Sequence, residues 1–234
     1  MGHIVITGAS SEIGLAITEK MSGWGKPLLL QCNKNPEKLS RWASEAQIVA
    51  ADFSSDTELD QFIARLQDVD ILIYAAAYTD TELIPQISEA SIRKMIQVNL
   101  YAFTRICQTI IPSMCLKRNG ILVNISSATA SRVYRGQAVY AGTKAYMEAF
   151  SKAIVAEYGR KGIRCNCVAP GSIQAGSLKL LTNIAESQVK QINAMSTLGV
   201  PEDVANAVAF LCRPESSFIN GTTLHVDGGH WMGL

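Results

Sequence analysis

The 234-residue chain predicts an α/β fold, with a doubly wound parallel sheet of seven strands and helices on both faces. Three observations carry that expectation. Short apolar runs recur along the chain, continuous rather than alternating, as strands covered on both faces should be. Longer segments with helical periodicity separate them, and such alternation implies parallel strands joined by right-handed crossovers. No internal repeat or low-complexity linker breaks the pattern.

The elements follow in order. "HIVIT" (3–7) runs into the glycine turn "TGASSEIG" and a helix over 13–23. "PLLLQC" precedes a helix over 36–46, "QIVAA" one over 56–67, and "DILIYAA" a long one over 89–117. "GILVNIS" leads to a helix over 138–160; "IRCNCVA" and "TTLHV" lie on either side of a helix over 201–212. Seven strands in this alternation make a Rossmann-like domain spanning 1–234. The least regular stretch, 171–199, is expected to be a substrate lid, because long irregular segments in compact domains are often lids or binding loops.

Composition excludes several classes of function. Hydrophobic residues make up 48% and charged residues 18%, enough for a well-buried core. Lys and Arg total 21 against 20 Asp and Glu, so no overall basic field favours nucleic acid or a membrane surface. Runs such as "PLLL" and "VAFLC" are too short to span a bilayer. "HIVITG" reads as a strand and turn rather than a secretory signal. The opening Met-Gly lacks the Ser or Thr at position 6 that myristoylation wants. The six cysteines form no CxxC pair and the three histidines do not cluster with them, so buried thiols are expected, with no metal, in a reducing cytoplasm.

Ligands in this architecture sit beyond the carboxyl ends of the strands, near the point where strand order reverses. Gly8 and Gly14 bracket a turn that opens a helix, whose N-terminal N–H groups and dipole suit a pyrophosphate. The end of the second strand discriminates the nicotinamide cofactors, an acid there favouring NAD and a cation NADP. "LLLQCNKN" has no acid and places Lys34 just past the strand, so NADP(H) is preferred and NAD(H) is the alternative. Ser10 and Ser11 are candidates to add hydroxyl donors to the same phosphate.

With the glycine turn, "NGILVNISSA" and "YAGTK" in place, the chain resembles the short-chain dehydrogenase/reductase family from end to end. That family carries TGxxxGxG after the first strand, an Asn in the long fourth crossover helix, a Ser after the fifth strand, and YxxxK. The resemblance implies a catalytic set of Asn99, Ser127, Tyr140 and Lys144, with the thirteen-residue interval to Tyr140 choosing Ser127 over Ser126. It also implies a cofactor cradle of Gly8, Ser10, Ser11, Ile13, Gly14, Asn33, Lys34, Asp52, Phe53 and Ala75. Pro170, Gly171 and Ile173 should line the nicotinamide, with Tyr140 and Lys144 beside it.

Residues four apart on a helix share a face, so Tyr140 and Lys144 should point into one cleft. A tyrosine ordinarily titrates near pH 10, and a neighbouring ammonium is expected to lower it towards a working general acid/base. By the resemblance, Ser127 would polarise a carbonyl oxygen, and Asn99 would hold a water connecting Lys144 to solvent. Three positions depart from the family pattern: Glu12 for the middle glycine, "YAAA" (74–77) for NNAG, and Ala175 for a common Thr.

"GQAVYAGTKA", "NCVAPGSI" and "INGTTLHVDGG" resemble 3-oxoacyl-acyl-carrier-protein reductases most. This implies reduction of a 3-oxoacyl thioester, with Arg118 and Lys161 near the cleft receiving an acidic acyl carrier protein. Leu178, Leu180, Leu181, Ile184 and Met195 are candidates for an acyl pocket. A homodimer or homotetramer is expected through 89–117, 138–160 and the C-terminal strand. Two other readings stay open: a reductase of another ketone (polyketide, sugar, steroid-like or quinone), and a non-catalytic NADP(H)-binding regulatory protein.

Overall fold

The computed structural model describes residues 2–176 and 194–230. Its strands are β1 (His3–Thr7), β2 (Leu28–Cys32), β3 (Ala46–Ala50), β4 (Val69–Tyr74), β5 (Gly120–Ile125), β6 (Ile163–Pro170) and β7 (Thr223–Val226). They pair in parallel in the order β3-β2-β1-β4-β5-β6-β7. The chain builds outward from β1 to β3, then returns to β4 on the other side of β1, which makes the β1–β4 crevice the switch point.

Period-two alternation divides the core. Ile4, Ile6, Leu30, Ile73 and Val123 face α1 (Glu12–Ser22) and α6 (Pro201–Cys212). Val5, Leu29, Leu72 and Leu122 face α2 (Asp56–Ile63), α4 (Ala102–Lys117) and α5 (Ala138–Tyr158). Both faces of the central strands are therefore buried, which is why their sequences read as unbroken apolar runs. Five of the six cysteines are buried and all six are free thiols. Among the described residues no His, Cys, Asp and Glu group could hold a metal, and no helix is long and apolar enough to cross a membrane.

Three elements differ from the sequence expectation. The segment expected as a helix over 36–46 is a seven-residue 3-10 helix, Pro36–Trp42. Asn35 enters it at φ 60°, only Leu39 and Trp42 are buried, and β3 begins at Ala46, so neither space nor an apolar stripe supports a longer α-helix. The helix expected over 56–67 stops at Ile63, where turn bonds from Arg65 and Leu66 lead to Asp68 at φ 49°. The long helix over 89–117 is α3 (Glu89–Ile96), a π-turn (Gln97–Tyr101) and α4. Of the expected lid over 171–199, the flanks 171–176 and 194–199 are described and meet at an Ile173–Gly199 bridge. Leu178, Leu180, Leu181 and Ile184 lie outside the described residues; Met195 is 69% exposed.

Candidate active site

A cleft of about 630 Å³ opens at the carboxyl ends of the strands, across the switch point. The turn after β1 shapes its floor. Gly8 has φ 64°, and a Cβ there would lie 2.7 Å from Ala75 O; a Cβ on Gly14 would meet Gly8 O at 2.2 Å. Only glycine permits both the left-handed turn and this close packing of backbone on backbone. Ser11 caps α1, its Oγ accepting from Gly14 N (3.0 Å) and donating to Gly8 O (2.8 Å). Ser10 Oγ donates to Lys34 O (2.8 Å). Both serines line the cleft, where their hydroxyls donate to backbone carbonyls.

The expected residues converge. Gly8, Ser10, Ser11, Ile13, Asn33, Lys34, Asp52, Phe53 and Ala75 border one end of the cleft, and Ser127, Tyr140, Lys144, Pro170, Gly171 and Ile173 the other. Gly14 and Asn99 lie behind this wall. Burial would raise the Asp52 carboxyl, but hydrogen bonds from Ser54 and Asn33 and the charge of Lys94 outweigh it and hold it low. Two cations that sequence reasoning missed, Lys38 and Lys94, line the same end as Lys34. Lys94 comes from α3, 60 positions further along than Lys34, so no local signal links them. A glycine turn at a helix N-terminus, with lysines at the same end of the cleft, fits the phosphates of a dinucleotide.

At the other end Lys144 is 2% exposed; its Nζ donates to Ile125 O (2.8 Å), lies 3.7 Å from Met147 Sδ, and makes no ion pair among the described residues. Burial pushes its pKa down to about 8. Nζ lies 5.6 Å from the Tyr140 ring centroid. Burial raises the Tyr140 pKa, and a hydrogen bond with Ser127 offsets part of the rise. The expectation that Lys144 lowers it is therefore corrected in sign: in this arrangement desolvation dominates and Tyr140 is a neutral phenol. A neutral phenol can donate a proton.

Asn99 is fully buried in the π-turn. It accepts from Tyr78 N (2.8 Å) and donates to Tyr78 O and Thr143 Oγ1 (both 2.9 Å), while Thr143 Oγ1 donates to Tyr140 O (2.7 Å). Asn99 thus ties the strand-four loop to the first turn of α5. Tyr74, at the first position of "YAAA", donates to Val98 O (2.5 Å) in that same π-turn and packs on Phe103. A brace is kept with different chemistry. Thr7 Oγ1 accepts from the N–H groups of Ala75 and Ala76 (both 3.1 Å). Glu12 borders the cleft and the groove beside it.

Arg118 and Lys161 are corrected in place. Arg118 ends α4 and donates to Arg160 O (3.1 Å), and Lys161 lies just before β6; both sit at the amino end of the sheet. The six residues of β5 put the length of a strand, ~20 Å, between them and the cleft. They do not border it within this chain.

A nucleotide-sized cleft over a glycine turn, with Ser, Tyr and Lys gathered at its inner end, defines a dinucleotide-dependent α/β protein. The family described as Enoyl-(Acyl carrier protein) reductase matches residues 8–230. The chain is 34% identical over 232 residues to the 3-oxoacyl-[acyl-carrier-protein] reductase of Rickettsia prowazekii, covering 97% of this chain and 96% of that one. It is 30% identical to the protein of the same name from Chlamydia trachomatis, covering 96% and 95%. Among solved structures, a short-chain dehydrogenase/reductase family protein superposes with a TM-score of 0.91 at 27% identity, covering 99% of this chain and 97% of that one. The 3-oxoacyl-[acyl-carrier protein] reductase of Brucella melitensis gives 0.90 at 26%, covering 99% and 91%. The chain belongs to the short-chain dehydrogenase/reductase family of oxidoreductases.

Proposed function

We propose that this oxidoreductase reduces a 3-oxoacyl thioester with NADPH, Tyr140 giving the proton to the carbonyl oxygen. The observation that carries the reading is the meeting of Ser127, Tyr140 and Lys144 at the inner end of the cleft. The names of the relatives support the substrate class. When bound, NADPH supplies the hydride to the carbonyl carbon. Tyr140, a neutral phenol held against Ser127, donates its proton as negative charge develops on the oxygen. Ser127 hydrogen-bonds that oxygen and orients it. Lys144, cationic below its pKa of about 8, stabilises the phenolate left behind and holds the ribose. Asn99 keeps α5 in register with the cleft. Lys34, with Lys38 and Lys94 beside it, receives the 2′-phosphate.

The thioester's carrier in this reading is an acyl carrier protein. The enzyme works in the cytoplasm as a homodimer or homotetramer, which sedimentation would test. Consumption of NADPH with an acetoacetyl thioester, run beside NADH and beside an enoyl thioester, tests the central reading. Turnover of the 3-oxo substrate with NADPH supports it. Turnover of the enoyl substrate alone would move the chemistry to a C=C bond.

A further inference from the structure

Ser127 does not stand alone at the cleft. Its Oγ accepts from Thr129 N (3.2 Å) and donates to Thr129 Oγ1 (3.0 Å), which donates to Gln137 Oε1 (3.3 Å). Gln137 precedes α5, three residues before Tyr140. The direction of this chain follows from its protons. An amide oxygen only accepts, so the single hydroxyl proton of Thr129 goes to Gln137. Thr129 Oγ1 is then left to accept, and the Ser127 proton turns towards it. One Ser127 lone pair is taken by Thr129 N–H. In this state Ser127 has no proton to offer a substrate oxygen.

We infer that Thr129 and Gln137 form a reversible hydrogen-bond chain that sets the polarity of Ser127. Without substrate the donors run Ser127 to Thr129 to Gln137 Oε1. With a carbonyl in place they run Gln137 Nε2 to Thr129 to Ser127 to the substrate oxygen. Thr129 O–H then takes the second Ser127 lone pair, and the Tyr140 hydroxyl faces the substrate. Along the chain the change needs two hydroxyl rotations, at Ser127 and Thr129, and one turn of the side-chain amide. A primary amide suits the end of such a chain because it carries a donor and an acceptor on one planar group. Thr129 is 7% exposed, so water competes little and the bonds reorient together. Both are positioning residues, and the inference rests on the role of Ser127 in carbonyl reduction proposed above.

Substitutions at the two residues test it, read as kcat and KM with NADPH and an acetoacetyl thioester. Gln137→Glu ends the chain in a group that only accepts when ionised, which locks the substrate-free polarity. Its kcat should fall by about tenfold or more at neutral pH, further than that of Gln137→Leu, which leaves Thr129 free to donate to Ser127. As pH falls through the carboxyl range the protonated side chain regains a donor, so the ratio of Gln137→Glu to wild-type kcat should climb. Taking the ratio at each pH cancels the titration of Tyr140 and Lys144. Thr129→Val should lower kcat with little change in KM, and Thr129→Ser should restore it. Equal losses in the two Gln137 variants with a flat pH ratio, or a Thr129→Ser no better than Thr129→Val, would overturn the chain alone. A wild type that turns over no carbonyl would overturn the parent reading and this inference with it.

Discussion

At the amino end of the sheet, the buried Asp70 carboxylate lies between Lys26 (2.6 Å) and Lys117 (2.7 Å) and accepts from Gly2 N (3.1 Å). At the carboxyl end, the more deeply buried Lys144 ammonium has one backbone carbonyl and a thioether for company. Burial alone would raise Asp70 and lower Lys144. Asp70 nonetheless falls below the usual carboxylate range, because hydrogen bonds and charge from Lys117 and Lys26 outweigh burial. Lys144 has no such compensation and drops to about 8. A charge with partners on every side contributes to stability and is unavailable for anything else. A charge left short of partners costs stability and keeps its field for the cleft.

The contrast can be broken from either end. The largest effect is expected at the carboxyl end, where Tyr140→Phe removes the proposed proton donor. Turnover should fall ~10³-fold while NADPH still binds, as fluorescence titration would measure. At the amino end, Asp70→Asn leaves Lys26 without its carboxylate and Lys117 with Asp68 alone, and should cost about 2 kcal/mol in urea melts. Because the Asp70 pKa is depressed, its contribution is present above the unfolded value of 3.8 and lost as pH falls through the folded value. The difference between wild type and variant should therefore shrink in acid.

Lys144→Met should behave in the opposite way, abolishing turnover but raising stability. Its folded pKa of about 8 lies below the ordinary 10.5, so the cost of the charge is fully present below pH 8 and fades towards pH 10.5. The gain should be up to about 3 kcal/mol at pH 7 and should close over that window. A variant less stable at pH 7 would show that packing of the lysine stem outweighs its charge. Lys34→Ala should weaken NADPH binding by about tenfold and NADH binding hardly at all. Equal weakening would remove the 2′-phosphate assignment. Smallest of all, Arg118→Ala and Lys161→Ala should leave kcat/KM for a small thioester within about twofold. A larger change would mean that the amino end reaches the cleft after all.

Much of this was legible in the sequence because the signals are local. Tyr140 and Lys144 are one helical turn apart, the glycine turn is continuous, and Lys34 follows directly on a strand. Where reasoning failed, the deciding partner was distant. The sign of the Tyr140 shift depends on how far the folded chain excludes water, which no spacing reveals. Tyr74 is a departure from the family pattern whose use shows only in the fold, where Val98 O lies opposite its hydroxyl. Thr129 and Gln137 are ordinary loop residues until the loop folds back and lays one against the other.

The sequence by itself determined the seven strands, the dinucleotide turn and the order of the site residues, because period, turn chemistry and helical spacing act over a few residues. The tertiary structure alone decided which end of the sheet each cation occupies and which protons are already spoken for. Strand order and burial depth set those outcomes, and both arise from packing between segments remote along the chain: Lys94 beside Lys34, Asn99 beneath Tyr140, and Arg118 a full strand's length from the cleft it was expected to guard.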